Sequence, residues 1–387
     1  MVVGLISIRL KHVIMNKNIN EPCFSERLTQ LDGLRGLAIL GVLVNHFGQF
    51  QGTEQCGWAG VSLFFVLSGF LITRILLHQK KLIVENKNTF WKSISIFYMR
   101  RALRIFPLYY LIVLLMIFFN AQNAQNLCPY LLSYTFNFIV SASNFTGPNW
   151  LWSLSVEEQF YLAWPAIVLL SPTRKIPFIM SFVFFIAPAW RLGCFIWGTT
   201  RDPMYFSTFA CLDCLAAGSF LAWCESQGCV IWGKCLYFTK TLGLTLTLGW
   251  ALLTFGLTPV IWNGVSLEWL IGNTAMAMFF SYLVGISTKP IESDFGALLR
   301  MRWLGYLGTI SYGIYVIHML IPPLVTYIIS KNPWLTINPS YILIFISIAG
   351  GAITWHFLEN PIQKFKIYFP YIKKSANKNY QKQNNAA

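Results

Sequence analysis

Long apolar runs separated by short polar and basic clusters make up most of the chain. A helix needs about 20 mainly apolar residues to cross a bilayer. Ten runs approach that length: 34–50, 58–77, 105–119, 150–171, 176–190, 205–224, 237–255, 267–287, 304–329 and 339–358. The runs at 105–119 and 176–190 are short and extend into their flanks, and 130–142 is apolar enough to form a re-entrant or interfacial piece. The expected fold class is all-α: a polytopic membrane protein with about ten transmembrane helices.

Composition agrees. The 387 residues are 56% hydrophobic and 11% charged, against about 25% charged in soluble domains. A net charge of +15 raises the possibility of nucleic acid. The Lys and Arg residues, however, cluster between apolar runs, and no soluble domain is long enough to bind DNA or RNA. Ten spans with both termini cytoplasmic put 26 of the 29 Lys and Arg on the cytoplasmic side, leaving Arg191, Arg201 and Lys331 outside. That is the positive-inside pattern. The organisation expected is a cytoplasmic N-terminal segment (1–27), a membrane domain (28–365) and a basic cytoplasmic tail (366–387). No cleavable signal peptide is expected, because Arg9, Lys11 and His12 interrupt residues 2–15. The nine cysteines form no metal-ligand array, so no metal is expected. Cys211 and Cys214 read as helix packing. Cys56 and Cys128, both in outer loops, are candidates for a disulfide.

Ionisable residues inside apolar runs are costly and tend to face cavities or pathways. In "LRGLAILGVLVNH" Arg35 and His46 lie eleven residues apart, hence on one helical face and about 16 Å apart along the axis. Arg35 alone reads as a snorkelling anchor, and His46 reads as a packed or a functional histidine. In "YMRRALRIFPLYY" Arg101 and Arg104 form a basic face, with Pro107 placed early in the following span. Such a face either grips a phosphorylated ligand or sets topology beside anionic lipid. Arg74, at the inner end of the second run, joins these substrate-binding candidates. In "NWLWSLSVEEQFYLAWP" Glu157 and Glu158 lie about 10 Å deep, where an ionised carboxylate costs roughly 3 kcal/mol. One of them is a candidate to orient His46 or another polar group. In "GTISYGIYVIHML" Ser311, Tyr315 and His318 share a face and either bind substrate or glue helices. Ser68 and Gly69 in "FFVLSGFLITRIL" read as small residues for close helix approach; Ser68 as a nucleophile is the disfavoured alternative, because no elbow geometry is implied. "FLENP" reads as a helix terminus ahead of Pro361.

Taken together, "LDGLRGLAIL…NH", "FFVLSGFLI", "RRALRIFPLYY", "WSLSVEEQFYL", "SYGIYVIH" and "ENP" resemble, in order, the acyltransferase 3 family of membrane O-acyltransferases. These acylate surface polysaccharides, peptidoglycan, signalling oligosaccharides and some antibiotics. The resemblance implies that His46 is the catalytic group of an arginine-ten residues-histidine motif with Arg35. It also implies that Arg101 and Arg104 help hold an acyl-CoA donor, and that the motif glutamate is Glu157 or Glu158. No bound cofactor is implied, acetyl-CoA being the default donor substrate. The implied acceptor is a hydroxyl of a glycan or lipid-linked saccharide such as lipopolysaccharide O-antigen, and the implied location is the bacterial inner membrane. Some members add an SGNH esterase-like domain after the last span. Only 26 residues follow Pro361 here, so the membrane unit is expected to work alone or with a partner. The alternative from another class is a proton-coupled transporter or flippase of acyl groups or lipid-linked glycan, with the buried His and Glu relaying protons.

Overall fold

The computed structural model describes residues 29–49, 52–142, 149–199, 201–255, 261–262, 265–331 and 339–371. The N-terminal segment 1–27 and most of the basic tail lie outside them. All ten apolar runs are helical. In chain order the long helices are α1 (Thr29–Phe47), α2 (Thr53–Val84), α3 (Phe90–Phe118), α4 (Trp152–Leu170), α5 (Ile176–Ile196), α6 (Thr208–Ser226), α7 (Cys229–Phe255), α8 (Glu268–Ile286), α9 (Arg302–Ile317) and α10 (Pro339–Thr354). A two-residue antiparallel pairing, Ile261 with Ser266, joins α7 to α8.

Among the described residues, seven helical segments are long and apolar enough to cross a membrane, rather than the ten expected. The helices outside that set are α1, α4 and α7. Asp32, Arg35 and His46 lower the mean hydropathy of α1, the Glu157–Glu158–Gln159 run that of α4, and Lys234 and Lys240 with five threonines that of α7. Protein rather than lipid surrounds much of the first: eleven of the nineteen α1 residues are buried. By contrast α10 buries only Ser347 and Gly351.

The centre of the bundle is α2, which packs against α1, α4, α6 and α8. Close approach depends on missing side chains. A Cβ on Gly69 of α2 would run into the Leu215 carbonyl of α6, and one on Gly308 of α9 into the Asp32 carbonyl of α1. Small residues at such crossings let backbones touch where burial alone supplies little drive.

Four sequence expectations change. The helix carrying Arg100, Arg101 and Arg104 starts at Phe90, so Pro107 is interior rather than in a first turn; the amphipathic stretch before it propagates the helix from its Thr89 cap. Arg191 is not in an outer loop. It lies within α5, wholly buried, because the helix runs on to Ile196. The ninth run breaks at His318, where a 3-10 turn, His318–Leu320, precedes the helix Ile321–Lys331. Pro322 and Pro323 cannot supply backbone N–H groups to continue the ladder. Finally, "FLENP" does not end its helix. A π-helical turn, Trp355–Glu359, carries the chain into Asn360–Gln363, with Pro361 in the first turn where its missing N–H costs nothing.

Residues 130–142 form two short helices, Cys128–Leu132 and Phe136–Ala142, that pack into the protein. Asn137 bonds Thr208 at 2.9 Å and Gln159 at 2.8 Å. Cys56 and Cys128 are both free thiols.

Candidate active site

Three arginines from two helices converge on one cavity of about 90 Å³ enclosed by α1, α2, α3, α4 and α9. Arg35 comes from α1, Arg101 and Arg104 from α3. The two α3 guanidiniums project from one face because three residues separate them. Arg100, one residue over, points elsewhere: its Nη1 donates to the carbonyls of Lys366 and Phe369 at 3.1 and 3.0 Å and holds the C-terminal segment against α3. Arg35 is steadied by Asp32 at 3.2 Å. Arg101 lies over the Tyr161 ring at 5.3 Å.

Ser68, Glu157 and Tyr161 line the same space. The Ser68 hydroxyl donates to Glu157 Oε1 at 2.6 Å, and the Tyr161 hydroxyl donates to Ser68 Oγ at 2.8 Å. Glu157 therefore grips Ser68 rather than His46. The neighbouring Glu158 does not line the cavity. It lies in electrostatic reach of the phenols of Tyr109, Tyr110, Tyr134 and Tyr312, as expected of side chains about 100° apart on a helix.

At the other end the cavity is walled by Ser153 and Tyr315. The Tyr315 hydroxyl donates to the Trp150 carbonyl at 2.6 Å and shares a 2.5 Å hydrogen bond with Ser153. Ser311 also lines the cavity, with its hydroxyl turned back to the Gly308 carbonyl at 2.9 Å.

Beyond Tyr315 lie two imidazoles. The ring of His318 is 5.7 Å from that of Tyr315 and 4.9 Å from that of His46. His318 is wholly buried in its 3-10 turn, and its Nδ1 is 2.8 Å from the Tyr315 carbonyl. A carbonyl only accepts, so Nδ1 carries the proton and Nε2 keeps a lone pair. That Nε2 has no hydrogen-bond partner among the described residues. His46 is half-buried and outside the cavity lining.

The structure thus brings Arg35, Arg101, Arg104, Glu157, Ser311 and Tyr315 around one space, and sets His46 with His318 just past its far wall. Arg74 is elsewhere, paired with Glu225 at 3.0 Å. The sequence reading did not find the Ser68–Glu157–Tyr161 contact, which depends on helix register. Nor did it find the pair of Arg191 and Asp213, both wholly buried and 2.6 Å apart. Chemically, the arrangement offers cations for a polyanionic ligand at one end and an imidazole base at the other, with a carboxylate and hydroxyls between. Cys211 and Cys214 are buried in α6, with their thiols directed at the carbonyls of Tyr205 and Asn273.

The family model for an acyltransferase domain, acyltransferase 3, matches residues 28–356. Peptidoglycan O-acetyltransferase OatA of Listeria monocytogenes is 28% identical, over 90% of this chain and 58% of its own length. O-acetyltransferase OatA of Staphylococcus aureus is 27% identical, over 89% of this chain and 58% of its own. The chain therefore spans less than two thirds of the length of these relatives. No solved structure matches it. With the family model covering most of the residues, including every one of the cavity-lining side chains, the chain belongs to the acyltransferase 3 family.

Proposed function

We propose that the protein is a membrane O-acetyltransferase that moves an acetyl group from acetyl-CoA to a hydroxyl of a cell-wall glycan. The observation that carries this reading is the convergence of Arg35, Arg101 and Arg104 on one cavity whose opposite wall adjoins His46 and His318. Coenzyme A carries several phosphates, and guanidiniums bind phosphate through paired N–H donors. With the basic end cytoplasmic, the donor enters there and the acceptor approaches from the His46 side. His46 takes the proton of the attacking hydroxyl as general base. His318 is too buried to touch an acceptor, and its unpartnered Nε2 is positioned to accept an N–H from His46. That contact would fix the His46 tautomer much as a carboxylate does in a hydrolase triad. Peptidoglycan is the acceptor suggested by the name of the Listeria relative. Lipopolysaccharide O-antigen, expected from sequence, is not among the acceptors those names carry.

The test expresses wild type and His46→Ala at matched levels in a host lacking the gene. Purified cell-wall and surface glycans then go to mass spectrometry for acyl increments released by mild base. Increments present with wild type and absent with the variant support the reading. Equal increments return His46 to a packing role. Absence of increments from both, with altered glycan export, favours a transporter.

A further inference from the structure

We propose that Ser68 is a transient acyl carrier, its Oγ taking the acyl group from a thioester donor and passing it to the acceptor hydroxyl. The inference rests on the acyltransferase reading and adds a covalent site to it.

The hydroxyl's environment sets it apart from many of the other helical hydroxyls. Ser219, Thr239, Thr245 and Ser347 each bond back to a carbonyl of their own helix, at 2.7–3.0 Å, the usual resting place for a hydroxyl in an apolar helix. Ser68 instead donates across the bundle to the Glu157 carboxyl, and accepts from Tyr161. Its proton is thereby committed to a base and one lone pair is occupied, while the side chain stays partly exposed to the cavity. A nucleophile hydrogen-bonded to a base that other groups hold in place is the arrangement covalent catalysis needs. Arg101 and Arg104 line the same space, so cationic donors surround the position where an oxyanion would form.

Position supports the role. Ser68 is the sixteenth residue of the 32-residue α2, so about 24 Å of helix lies on each side of it. It stands midway between a donor on one side of the membrane and an acceptor on the other. Glu157 is the base in contact with Ser68 inside the cavity, whereas His46 lies outside the lining, past Tyr315 and His318. Transfer through Ser68 therefore relies on Glu157 at the carrier, with His46 on the acceptor side.

In the first half-reaction, Ser68 Oγ bonds to the thioester carbonyl carbon, and the hydroxyl proton passes through Glu157 to the sulfur as the C–S bond breaks, releasing the thiol to the cytoplasmic side. In the second, the acceptor oxygen bonds to the same carbon, and its proton passes to Glu157, the base in contact with Ser68. The C–Oγ bond breaks, and Glu157 hands that proton to Oγ.

The experiment uses the full chain in lipid nanodiscs with radiolabelled acetyl-CoA and no acceptor, quenched in acid and mapped by peptide mass spectrometry. The expected result is one acetyl ester on the Ser68 peptide, labile to mild base, and reduced at least about 100-fold in Glu157→Gln. In cells, Ser68→Ala should lose glycan acetylation by a similar factor. Ser68→Cys, which keeps the shape, should accumulate a thioester cleaved by neutral hydroxylamine. Label on another residue overturns the proposal, as does Ser68→Ala retaining more than half of wild-type glycan acetylation. If wild type acetylates glycan in cells yet never labels, the acyltransferase reading stands and the carrier falls. If wild type does neither, both fall.

Discussion

Replacing Asp213 by alanine isolates what the buried charge pair between α5 and α6 contributes. Four hydrogen bonds hold the Arg191 guanidinium. Nε donates to the Leu270 carbonyl at 3.1 Å and Nη1 to the Ala210 carbonyl at 2.5 Å, while Nη2 donates to both Asp213 Oδ2 and Thr274 Oγ1 at 2.6 Å. Thr274 in turn donates to Asp213 at 2.8 Å. Both charged side chains are wholly buried. Removing the carboxylate therefore leaves an uncompensated guanidinium with no water to turn to, and deprives the Thr274 hydroxyl of its acceptor. Breaking such a pair costs about 3–5 kcal/mol. Replacing both members by apolar residues of similar volume, Arg191→Met with Asp213→Leu, removes both desolvation penalties and should recover most of the loss. The assay is unfolding in mixed micelles, read by maleimide access to buried thiols. Cys211 and Cys214 flank Asp213 and are 2% and 1% exposed. The expected order of stability is single variant well below double variant, and double variant near wild type. A single variant within about 1 kcal/mol of wild type, or a double variant no better than the single, would refute the reasoning.

Three further outcomes are expected. Lys80 Nζ donates to the carbonyls of Val168, Leu169 and Ser171 at 2.9, 3.1 and 2.5 Å and so caps the C-terminal end of α4. Lys80→Met should cost about 1.5–3 kcal/mol in the same unfolding assay, with partial recovery in Lys80→Arg. Arg101→Ala and Arg104→Ala should each weaken coenzyme A binding by about tenfold or more in calorimetry. Arg100→Ala should instead leave binding near wild type and expose the Lys364–Tyr368 segment to protease, since Arg100 holds the chain there. Cys56 and Cys128 should both alkylate in the folded, unreduced protein; a pair that resists until reductant is added would contradict the structure.

Much of the architecture was legible because hydropathy is a local property. Each of the ten apolar runs is helical, the ninth with a break at His318, and the eleven-residue spacing of Arg35 and His46 was readable because a helix repeats at a fixed interval. What depended on contact between helices was not. Ser68 and Glu157 are 89 residues apart, and their meeting follows from how α2 and α4 register in the bundle. Arg191 was misplaced because its charge cut short an apolar run that the helix continues through; its partner Asp213 gives no signal, since one carboxylate between two cysteines has no period. The break at His318 did leave a trace, the "IPPL" that follows it.

The three helices that fall short of a membrane-crossing composition explain how function hides from a hydropathy window. A window reports a mean, and a few ionisable residues lower it whichever way they point. On α1 and α4 those residues are Asp32, Arg35, His46, Glu157 and Glu158, and Arg35 and Glu157 face a cavity rather than lipid. The neighbouring α2, with Ser68 as its hydrophilic contribution to that cavity, keeps an apolar stretch long enough to cross a membrane. A serine costs little in a bilayer compared with a carboxylate, so a hydroxyl nucleophile can stand mid-helix without disturbing the pattern. Low hydropathy therefore marks α1 and α4, two of the helices that bring charge to the site, but not α3, which carries Arg101 and Arg104 beside a long apolar stretch, and α7 is low without reaching the cavity. It cannot mark the helix that brings the hydroxyl, and only the register of α2 against α4 does.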